Sequence, residues 1–200
     1  MTQLLSNVYL ARHGETAWTV SGQHTGLTDI PLTERGERDA RRLGERLRDH
    51  TFAHVFTSPL QRARRTCELA GYGSVAVVDP ELVEWNYGAY EGRKTAEIRQ
   101  ERPDWDLFRD GCPGGETADD VGARTDRVIA RLRALTGDVL IFSSSHFLRV
   151  FAARWLRLPA DGGRLFYLGT ATLSMVGYEH NNVREPVIRL WNDGRHVSNE

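Results

Sequence analysis

Short apolar runs that alternate with amphipathic segments constrain the fold of this chain more than any other feature. Val8–Ala11 is such a run, and it ends in polar residues, which is typical of a strand buried in a parallel sheet. Residues 53–56, 75–78 and 139–142 form three similar runs. Leu173–Tyr178 and Val187–Trp191 instead alternate apolar and polar residues, so they could pair around the turn-rich segment between them.

Helical patterns lie between these strands. Thr33 opens a helix that places Leu43 and Leu47 on one face. Residues 58–61 have the pattern of a capping box with proline at the first helical position. Other predicted helices follow Thr117 and cover residues 147–156, and the long excursion 81–115 contains one short helix near residues 95–101.

This order of elements predicts an α/β fold. Strands that alternate with helices favour a three-layer sandwich, in which helices cover both faces of a mainly parallel sheet and an antiparallel edge completes it. Neither a repeat nor a linker divides the sequence, and 200 residues is an ordinary length for one domain. We therefore expect a single domain over residues 1–200.

Charge and composition narrow the possible partners and location. Lys and Arg number 26 against 27 Asp and Glu, so a net charge of −1 provides no field for nonspecific nucleic-acid binding. No run approaches the ~18 apolar residues of a membrane span, and residues 1–7 lack the positive start of a secretory signal. Cys67 and Cys112 make no disulfide framework, which favours a reducing cytoplasm. We expect a cytoplasmic protein without nucleic-acid or membrane partners.

The sequence also lacks the common signatures of cofactor and metal sites. It contains no P-loop, no HExxH motif, no GxSxG elbow and no GxGxxG fingerprint. His50 and His54 have i,i+4 spacing, but they straddle a predicted helix end and a predicted strand start, so we interpret them as surface residues. We expect neither a cofactor nor a metal.

Polar residues follow three of the predicted strands directly. Residues 12–16 follow the first strand, Thr57 and Ser58 precede Arg62 after the second, and residues 143–146 precede Arg149 after a later strand. In parallel sheets, ligands bind at the carboxyl ends of the strands. If these strands are neighbours, the three groups face one crevice.

Arg62 and His13 allow two interpretations each from their positions alone. Arg62 lies in the first turn of a predicted helix, where a cation opposes the helix dipole, so it either meets an anion or an acidic neighbour or extends into solvent. His13 is either a core histidine bonded to backbone or a phosphate contact. Gly14 beside it allows close approach of backbone or ligand.

Several motifs together resemble one known family. Residues 10–16 read LARHGET and resemble the signature of the histidine phosphatase superfamily, which includes the cofactor-dependent phosphoglycerate mutases. Matching segments follow in the family's order: a substrate loop at 21–33, a second basic motif at 57–63, an acid-bearing segment at 84–92 and a helix entry at 114–117. The sequence WNYG at 85–88 is most similar to the acid- and sugar-phosphatase branch.

The resemblance implies hydrolysis of phosphomonoesters in two displacements, with His13 as the nucleophile. His13 must then be neutral, and a hydrogen bond from one ring nitrogen to a backbone carbonyl would fix its tautomer. Arg12 and Arg62 would hold the phosphoryl oxygens. Glu84 would protonate the leaving oxygen and then activate water, and burial against Trp85 or the approaching phosphate would favour its protonated form.

Other site residues follow from the same resemblance. Thr25 and Gly26 would contact substrate through a hydroxyl and a backbone amide, although a plain β-turn is the alternative, and Thr19 stands where the family often has asparagine. Glu15 could orient Arg12 or His13, or be solvated. On position alone, Glu84 is a surface carboxylate. Four aromatic residues could line a sugar-sized pocket or pack in the core: Trp85, Tyr87, Tyr90 and Trp105.

The chain departs from the family pattern after the later strand. The family places a second catalytic histidine there, followed by glycine, with arginine five residues after the histidine. Counting back from Arg149 assigns Ser144 to the histidine position and Ser145 to the glycine position, while His146 matches a later histidine of the acid-phosphatase branch. Loss of one such donor reduces rates by about 10²–10³. A shifted turn that brings His146 into the site is the alternative.

Three functions therefore compete. The first is a phosphatase for small phosphorylated metabolites, which Ser144 weakens. The second is a phosphoglycerate mutase-type phosphomutase, although the span from Gly92 to Gly114 is short for a lid that excludes water. The third is a non-catalytic binder of a phosphate ligand. The sequence leaves the particular ester and the oligomeric state open.

Overall fold

A six-stranded sheet forms the centre of the computed structural model, which describes residues 5–197. Its strands are β1 (Val8–Arg12), β2 (His54–Thr57), β3 (Val77–Val78), β4 (Val139–Ser143), β5 (Leu173–Tyr178) and β6 (Pro186–Asp193). Their order across the sheet is β3-β2-β4-β1-β5-β6. The first four strands are parallel, whereas β5 is antiparallel to β1 and β6 is antiparallel to β5. The predicted mainly parallel sheet with an antiparallel edge is thereby confirmed.

Helices surround this sheet. In the described part of the chain they are α1 (Ala17–Ser21), α2 (Glu34–Leu47), α3 (Gln61–Leu69), α4 (Thr95–Glu101), α5 (Leu107–Asp110), α6 (Ala118–Arg133) and α7 (Ser145–Trp155). Short 3-10 turns cover Pro80–Leu82, Gly88–Tyr90 and Ala160–Leu165. Across residues 5–197, none of these helices has the length and apolar composition that a bilayer crossing requires.

Apolar side chains are buried on both faces of the sheet. In β1, Leu10 belongs to a cluster with Val128 of α6 and Phe151 of α7, whereas Ala11 belongs to a second cluster with Leu43 of α2 and Cys67 of α3. Successive residues of a strand point to opposite faces, so a strand covered on both sides is apolar throughout. The continuous apolar runs of the sequence therefore correspond to the three-layer arrangement.

Several predicted boundaries differ from the structure. The capping box at residues 58–61 is wrong, because α3 begins at Gln61 and its N-cap residue Leu60 has no side-chain cap. Asp29 instead accepts the Gln61 backbone N–H at 2.7 Å, an acceptor that local sequence could not predict. Helix α7 begins at Ser145, two residues before its predicted start, and α1 was not predicted. His50 and His54 are both partly exposed, and the His50 ring stacks on Phe52.

The excursion between residues 81 and 115 is more ordered than its composition suggests. Helix α4 matches its predicted range, and α5 and two 3-10 turns add further local structure. Trp85, Tyr90 and Trp105 are buried in the same cluster as Leu10. Tyr87 is buried too, but it also borders a cavity at the carboxyl edge of the sheet. Most of the aromatic residues of this segment therefore pack in the core.

Candidate active site

The carboxyl ends of β1, β2 and β4 are adjacent, as the sequence predicts. Arg12 pairs with Ser143 across the β1–β4 ladder, and Thr57 pairs with Phe142 across the β2–β4 ladder. The ladder continues past β1, because the His13 backbone N–H donates to Ser143 O at 2.9 Å. The polar residues that follow these three strands therefore meet at one edge of the sheet.

The His13 ring is held in one tautomer. It is only 3% exposed, and Nδ1 lies 2.7 Å from Gly14 O. A carbonyl oxygen can only accept, so Nδ1 carries the proton and Nε2 keeps a free lone pair. Burial and the neighbouring charges of Arg62 and Arg12 hold the pKa of His13 well below its usual range. The ring is therefore neutral, with Nε2 available as a nucleophile.

Close backbone packing fixes the loop after His13. A Cβ on Gly14 would lie 2.5 Å from Gly36 O, so the close approach that Gly14 permits is to α2 rather than to a ligand. The Gly14 N–H donates to Thr66 Oγ1 of α3 at 3.0 Å. Glu15 orients neither Arg12 nor His13: its carboxylate accepts from the Thr33 hydroxyl at 2.7 Å, at the beginning of α2. This loop is thereby attached to two helices.

Arg62 lies inside the protein, so its interpretation as a solvent-exposed arginine is wrong. The residue is fully buried, and its two terminal nitrogens donate to backbone carbonyls of the loop over residues 25–28. Its Nε–H is buried and has no partner among the described residues. Burial lowers the pKa of Arg62 from its ordinary value, although nearby Glu84 opposes this effect. A donor of this charged side chain thus remains unused beside His13.

Arg12 has the same unused donor. Its Nη1 donates to Leu168 O at 2.5 Å, while its Nε–H is buried without a partner. Within residues 5–197, neither Arg12 nor Arg62 has a carboxylate within 4.0 Å. Buried charges without a counterion are expensive, and so are buried N–H groups without an acceptor. An anion placed between the two arginines and His13 would supply both the charge and the acceptors.

Glu84 is buried as well, so its interpretation as a surface carboxylate is wrong. It is 3% exposed and accepts three backbone N–H bonds: Oε1 from Trp85 and Phe147 at 3.0 and 2.8 Å, and Oε2 from His146 at 3.0 Å. Two of these donors belong to the first turn of α7, where the helix dipole favours a carboxylate. Oε2 has one backbone donor fewer than Oε1, and Glu84 lines the same cavity as His13.

Arg124 holds the segment that carries Glu84, and the sequence interpretation missed it. This α6 residue is 8% exposed and donates to the carbonyls of Glu81 and Val83 at 2.7 and 2.8 Å, and to Glu116 Oε2 at 3.0 Å. The spacing of the sequence did indicate that Arg124 is buried, because it lies three residues after Val121 and therefore on the apolar face of α6. Arg124 is therefore a positioning residue for Glu84.

A cavity of 230 Å³ joins His13, Arg12 and Glu84. Its other lining residues are Trp18, Thr19, Gly22, Gln23, His24, Thr25, Tyr87, Ser145, His146, Arg149, Tyr167 and Leu168. The predicted substrate loop 21–33 includes His24, whereas Trp18 and Tyr167 were not identified, because no local pattern links α1 or the segment before β5 to this edge. Tyr167 is three-quarters exposed and borders the mouth of the cavity.

The predicted substrate contacts of the loop are only partly available. Thr25 lines the cavity, whereas Gly26 does not, because its N–H already donates to Glu91 Oε1 at 2.8 Å. The substrate contact predicted for the Gly26 amide would therefore have to replace this hydrogen bond to Glu91. The Thr19 hydroxyl donates to Thr16 O at 2.8 Å and accepts from the Thr16 N–H, so it caps α1 although it borders the cavity.

His146 forms part of one wall of the cavity. Its Nδ1 lies 2.6 Å from the Tyr87 hydroxyl, and Trp85 and Phe108 pack edge-on or tilted against its ring. Burial raises the pKa of Tyr87 and lowers the pKa of His146, so a neutral phenol faces a neutral imidazole. The phenol makes no other hydrogen bond among the described residues, so its contact with Nδ1 is the hydrogen bond that joins Tyr87 to His146. His146 is thus fixed in a side wall by Tyr87.

Ser144 occupies the junction between β4 and α7. It is completely buried, and its hydroxyl has neither a capping bond nor another partner among the described residues. Its neighbour Ser145 lines the cavity. His146 belongs to the first turn of α7 and lines the cavity. The two positions differ in surroundings, and no imidazole stands at position 144.

Comparison with known proteins agrees with this geometry. The model of the histidine phosphatase superfamily (branch 1) matches residues 8–194. An acid phosphatase of Mycobacterium tuberculosis is 41% identical, with 86% of each chain covered, and a sedoheptulose 1,7-bisphosphatase of Saccharomyces cerevisiae is 33% identical, with 95% of this chain and 94% of the relative covered. A solved structure of an open reading frame product from Mycobacterium tuberculosis aligns with a TM-score of 0.88 at 37% identity, covering 94% of this chain and 97% of the other. The chain belongs to the histidine phosphatase superfamily.

Proposed function

We propose that this protein is a phosphatase that hydrolyses small phosphomonoesters, sugar phosphates or related metabolites, through a phosphohistidine on His13. One observation carries the proposal: a neutral imidazole with a free Nε2 lies near the buried Arg62 and the partly buried Arg12, each of which has a buried Nε–H without a partner among the described residues. A phosphoryl group is the anion that satisfies these donors and accepts this nucleophile. The similarity to an acid phosphatase and to a sedoheptulose 1,7-bisphosphatase supports the same reaction class.

The first displacement would transfer the phosphoryl group to the protein. The Nε2 lone pair of His13 attacks phosphorus, the P–O bond to the alcohol breaks, and Glu84 gives its proton to the leaving oxygen. Arg12 and Arg62 hold the equatorial oxygens as charge redistributes. The positive charge that develops on the ring is stabilised by the Nδ1–H bond to Gly14 O.

The second displacement would release inorganic phosphate. The Glu84 carboxylate takes a proton from a water molecule, which attacks phosphorus and breaks the N–P bond. His13 then regains its lone pair and Glu84 is again protonated, so both groups are ready for another cycle. Ser144 contributes no imidazole to either transition state, and we expect turnover to be slow for that reason.

A phosphomutase is the second candidate, and one observation disfavours it. A mutase must protect the phosphoenzyme from water until the phosphoryl group returns to a substrate. The segment between Gly92 and Gly114 contains the two short helices α4 and α5, and Trp105 between them packs in the core instead of covering the cavity. Tyr167 at the mouth is largely exposed, so water can reach the site.

Phosphate release distinguishes the candidate functions. We expect the protein to liberate inorganic phosphate from phosphomonoesters without a bisphosphorylated primer, as a colorimetric phosphate assay would show. Strict dependence on a primer would identify a mutase instead. Thermal stabilisation by phosphate esters without any release would identify a non-catalytic binder, because ligand binding alone raises the unfolding temperature.

The pH dependence of kcat/KM follows from the environment of His13. Burial and two arginines lower the pKa of His13, and the neutral ring is the reactive form, so acidification through about pH 6.5 leaves the nucleophile unprotonated. We therefore expect kcat/KM to show no acidic limb near the ordinary histidine pKa. The assay uses p-nitrophenyl phosphate, whose own ionisation is titrated separately. A tenfold fall per pH unit below 6.5 that belongs to the enzyme would contradict this assignment.

A further inference from the structure

One peptide unit beside the cavity lies between two side chains of opposite charge. On one side, Nη2 of Arg62 donates to Thr25 O and Gly26 O at 3.1 and 2.7 Å. Nη1 of the same arginine donates to Thr28 O at 3.0 Å. On the other side, Glu91 Oε1 accepts from the Gly26 and Thr28 N–H groups at 2.8 and 3.2 Å. Because Thr25 O and the Gly26 N–H belong to the same peptide unit, that unit connects the guanidinium to the carboxylate.

This connection takes the place of a direct ion pair. Arg62 is fully buried, and among residues 5–197 no carboxylate oxygen lies within 4.0 Å of its guanidinium. A peptide unit that accepts from a cation at its oxygen and donates to an anion at its nitrogen is polarised by both charges, which strengthens both hydrogen bonds. Glu91 is therefore coupled to Arg62 although their charged groups do not touch.

Two other carboxylates act on Arg62 but have other hydrogen-bond partners. Burial lowers the pKa of this arginine, whereas the charges of Glu84, Asp29 and Glu91 oppose that effect. The Glu84 oxygens accept from backbone N–H groups that do not belong to this loop, and Asp29 accepts the Gln61 N–H. Of the three carboxylates, Glu91 is the one that binds the peptide unit to which Arg62 donates.

The backbone around Glu91 is paired with the chain that precedes the loop. The Gly92 N–H donates to His24 O and the His24 N–H donates to Arg93 O, both at 2.9 Å. The carboxylate then lies so close to Gly26 that a Cβ at that position would be 2.5 Å from Glu91 Oε2. Glycine at position 26 therefore permits the approach of Glu91 to this peptide unit.

This arrangement leaves the Nε–H of Arg62 for a ligand. Both terminal nitrogens donate to the loop, while the buried Nε–H has no partner among the described residues. The guanidinium is planar, so the contacts of the terminal nitrogens also fix the direction of the Nε–H bond. Because Glu91 holds the N–H groups of the same loop, the direction of this donor depends on Glu91 as well.

We propose that Glu91 is a positioning residue for Arg62. By holding the loop that binds the terminal nitrogens, Glu91 keeps the Nε–H of Arg62 directed at the phosphoryl group. This inference rests on the proposed function, because it assumes that Arg62 binds the phosphoryl group. The Glu91 carboxylate binds the loop, so it acts through the arginine and not on the substrate.

Two variants of Glu91 separate the effect of position from the effect of charge. Glu91→Gln keeps an acceptor oxygen at the same reach and removes the charge, whereas Glu91→Asp keeps the charge and withdraws the oxygen by one methylene group. We expect the Kd for inorganic phosphate, measured by calorimetry, to stay within about threefold of wild type in Glu91→Gln and to rise about 10-fold in Glu91→Asp. The kcat/KM for p-nitrophenyl phosphate should follow the same order. A larger loss in Glu91→Gln than in Glu91→Asp would contradict the positioning role.

A double-mutant cycle tests whether Glu91 acts through Arg62. Arg62→Gln alone should weaken phosphate binding by about 10–100-fold. Adding Glu91→Asp to this variant should cause little further loss, since the donor that Glu91 orients is gone. The same loss from Glu91→Asp in both backgrounds would overturn the inference. The unfolding temperature of each variant is measured alongside, and if Arg62→Gln does not fold, the comparison of Glu91→Gln with Glu91→Asp decides alone.

Glu97→Ala provides the matched control. Glu97 belongs to the same excursion and also accepts a backbone N–H, that of Lys94 at 3.0 Å, but it is exposed and makes this bond at the beginning of α4. Its replacement should leave the Kd for phosphate unchanged. A loss in Glu97→Ala equal to that in Glu91→Asp would show a general effect of removing carboxylates and would overturn the specific role of Glu91.

Phosphate binding also separates this inference from the proposed function. If the wild-type protein bound phosphate and the variants showed the expected order, but no phosphomonoester were hydrolysed, the phosphatase proposal would fail and the role of Glu91 would stand. Hydrolysis by the wild-type protein with the same kcat/KM and Kd in Glu91→Asp would overturn only the role of Glu91. A wild-type protein that neither binds phosphate nor releases it from esters would overturn both.

Discussion

Replacing His13 with alanine is expected to lower phosphate release by about 10⁴-fold or more, because it removes the ring nitrogen that would accept the phosphoryl group in the proposed reaction. Glu84, Arg12 and Arg62 would remain, so the residual rate would be that of direct attack by water on a bound ester. The fold should persist, since His13 lies after the end of β1 and its ring bonds only to the adjacent carbonyl of Gly14. Circular dichroism and thermal unfolding check this.

Trapping the phosphohistidine intermediate tests directly whether His13 is the nucleophile. Substrate labelled with ³²P should transfer its label to the wild-type protein when the reaction is quenched in alkali, where the N–P bond survives. The label should be found on the peptide that contains His13 and be absent from His13→Ala. Label on another residue, or unchanged turnover in His13→Ala, would contradict the assignment of the nucleophile.

The second large effect is a gain of activity. Ser144→His is expected to raise kcat by about 10²–10³-fold, because an imidazole at the β4–α7 junction would donate to the phosphoryl oxygens in the transition state. Position 144 directly follows Ser143, whose carbonyl accepts the His13 N–H, so the new ring would begin beside the nucleophile. The measurement is kcat with a saturating phosphomonoester, accompanied by the unfolding temperature.

Two control variants test whether an increase in kcat in Ser144→His comes from the new imidazole. Ser144→Ala removes only a hydroxyl that has no partner in the described structure, so it should leave kcat nearly unchanged. His146→Ala examines the alternative that His146 already supplies the missing donor. No gain in Ser144→His together with a large loss in His146→Ala would show that His146 performs this role.

Much of the fold could be predicted because it depends on local patterns. A strand buried on both faces must be apolar throughout, so Val8–Ala11 and residues 139–142 identify the centre of the sheet. Thr117 caps α6 through its hydroxyl, as such residues do at many helix beginnings. The carboxyl-edge rule for parallel strands then predicts that the polar residues after β1, β2 and β4 come together.

The features that could not be predicted from the sequence depend on contacts between residues far apart in the chain. Asp29 supplies the acceptor at the beginning of α3, and Glu91 takes the Gly26 N–H, although 65 residues separate these partners. Local pattern alone assigns Glu84 to a surface loop, and only the family resemblance indicates its position in the site. These properties depend on distant segments that meet only in the folded chain.

The hydrogen bonds that hold the loop over residues 25–28 bear on whether this loop could move during the proposed reaction. Arg62 binds its carbonyls from one side and Glu91 binds two of its N–H groups from the other. Swinging this loop outward would break contacts on both sides at once. If the protein hydrolyses phosphomonoesters as proposed, we therefore expect this loop to keep its position throughout the reaction instead of closing over the phosphoenzyme. Such rigidity suits an enzyme that discards the phosphoryl group to water instead of waiting for a second acceptor.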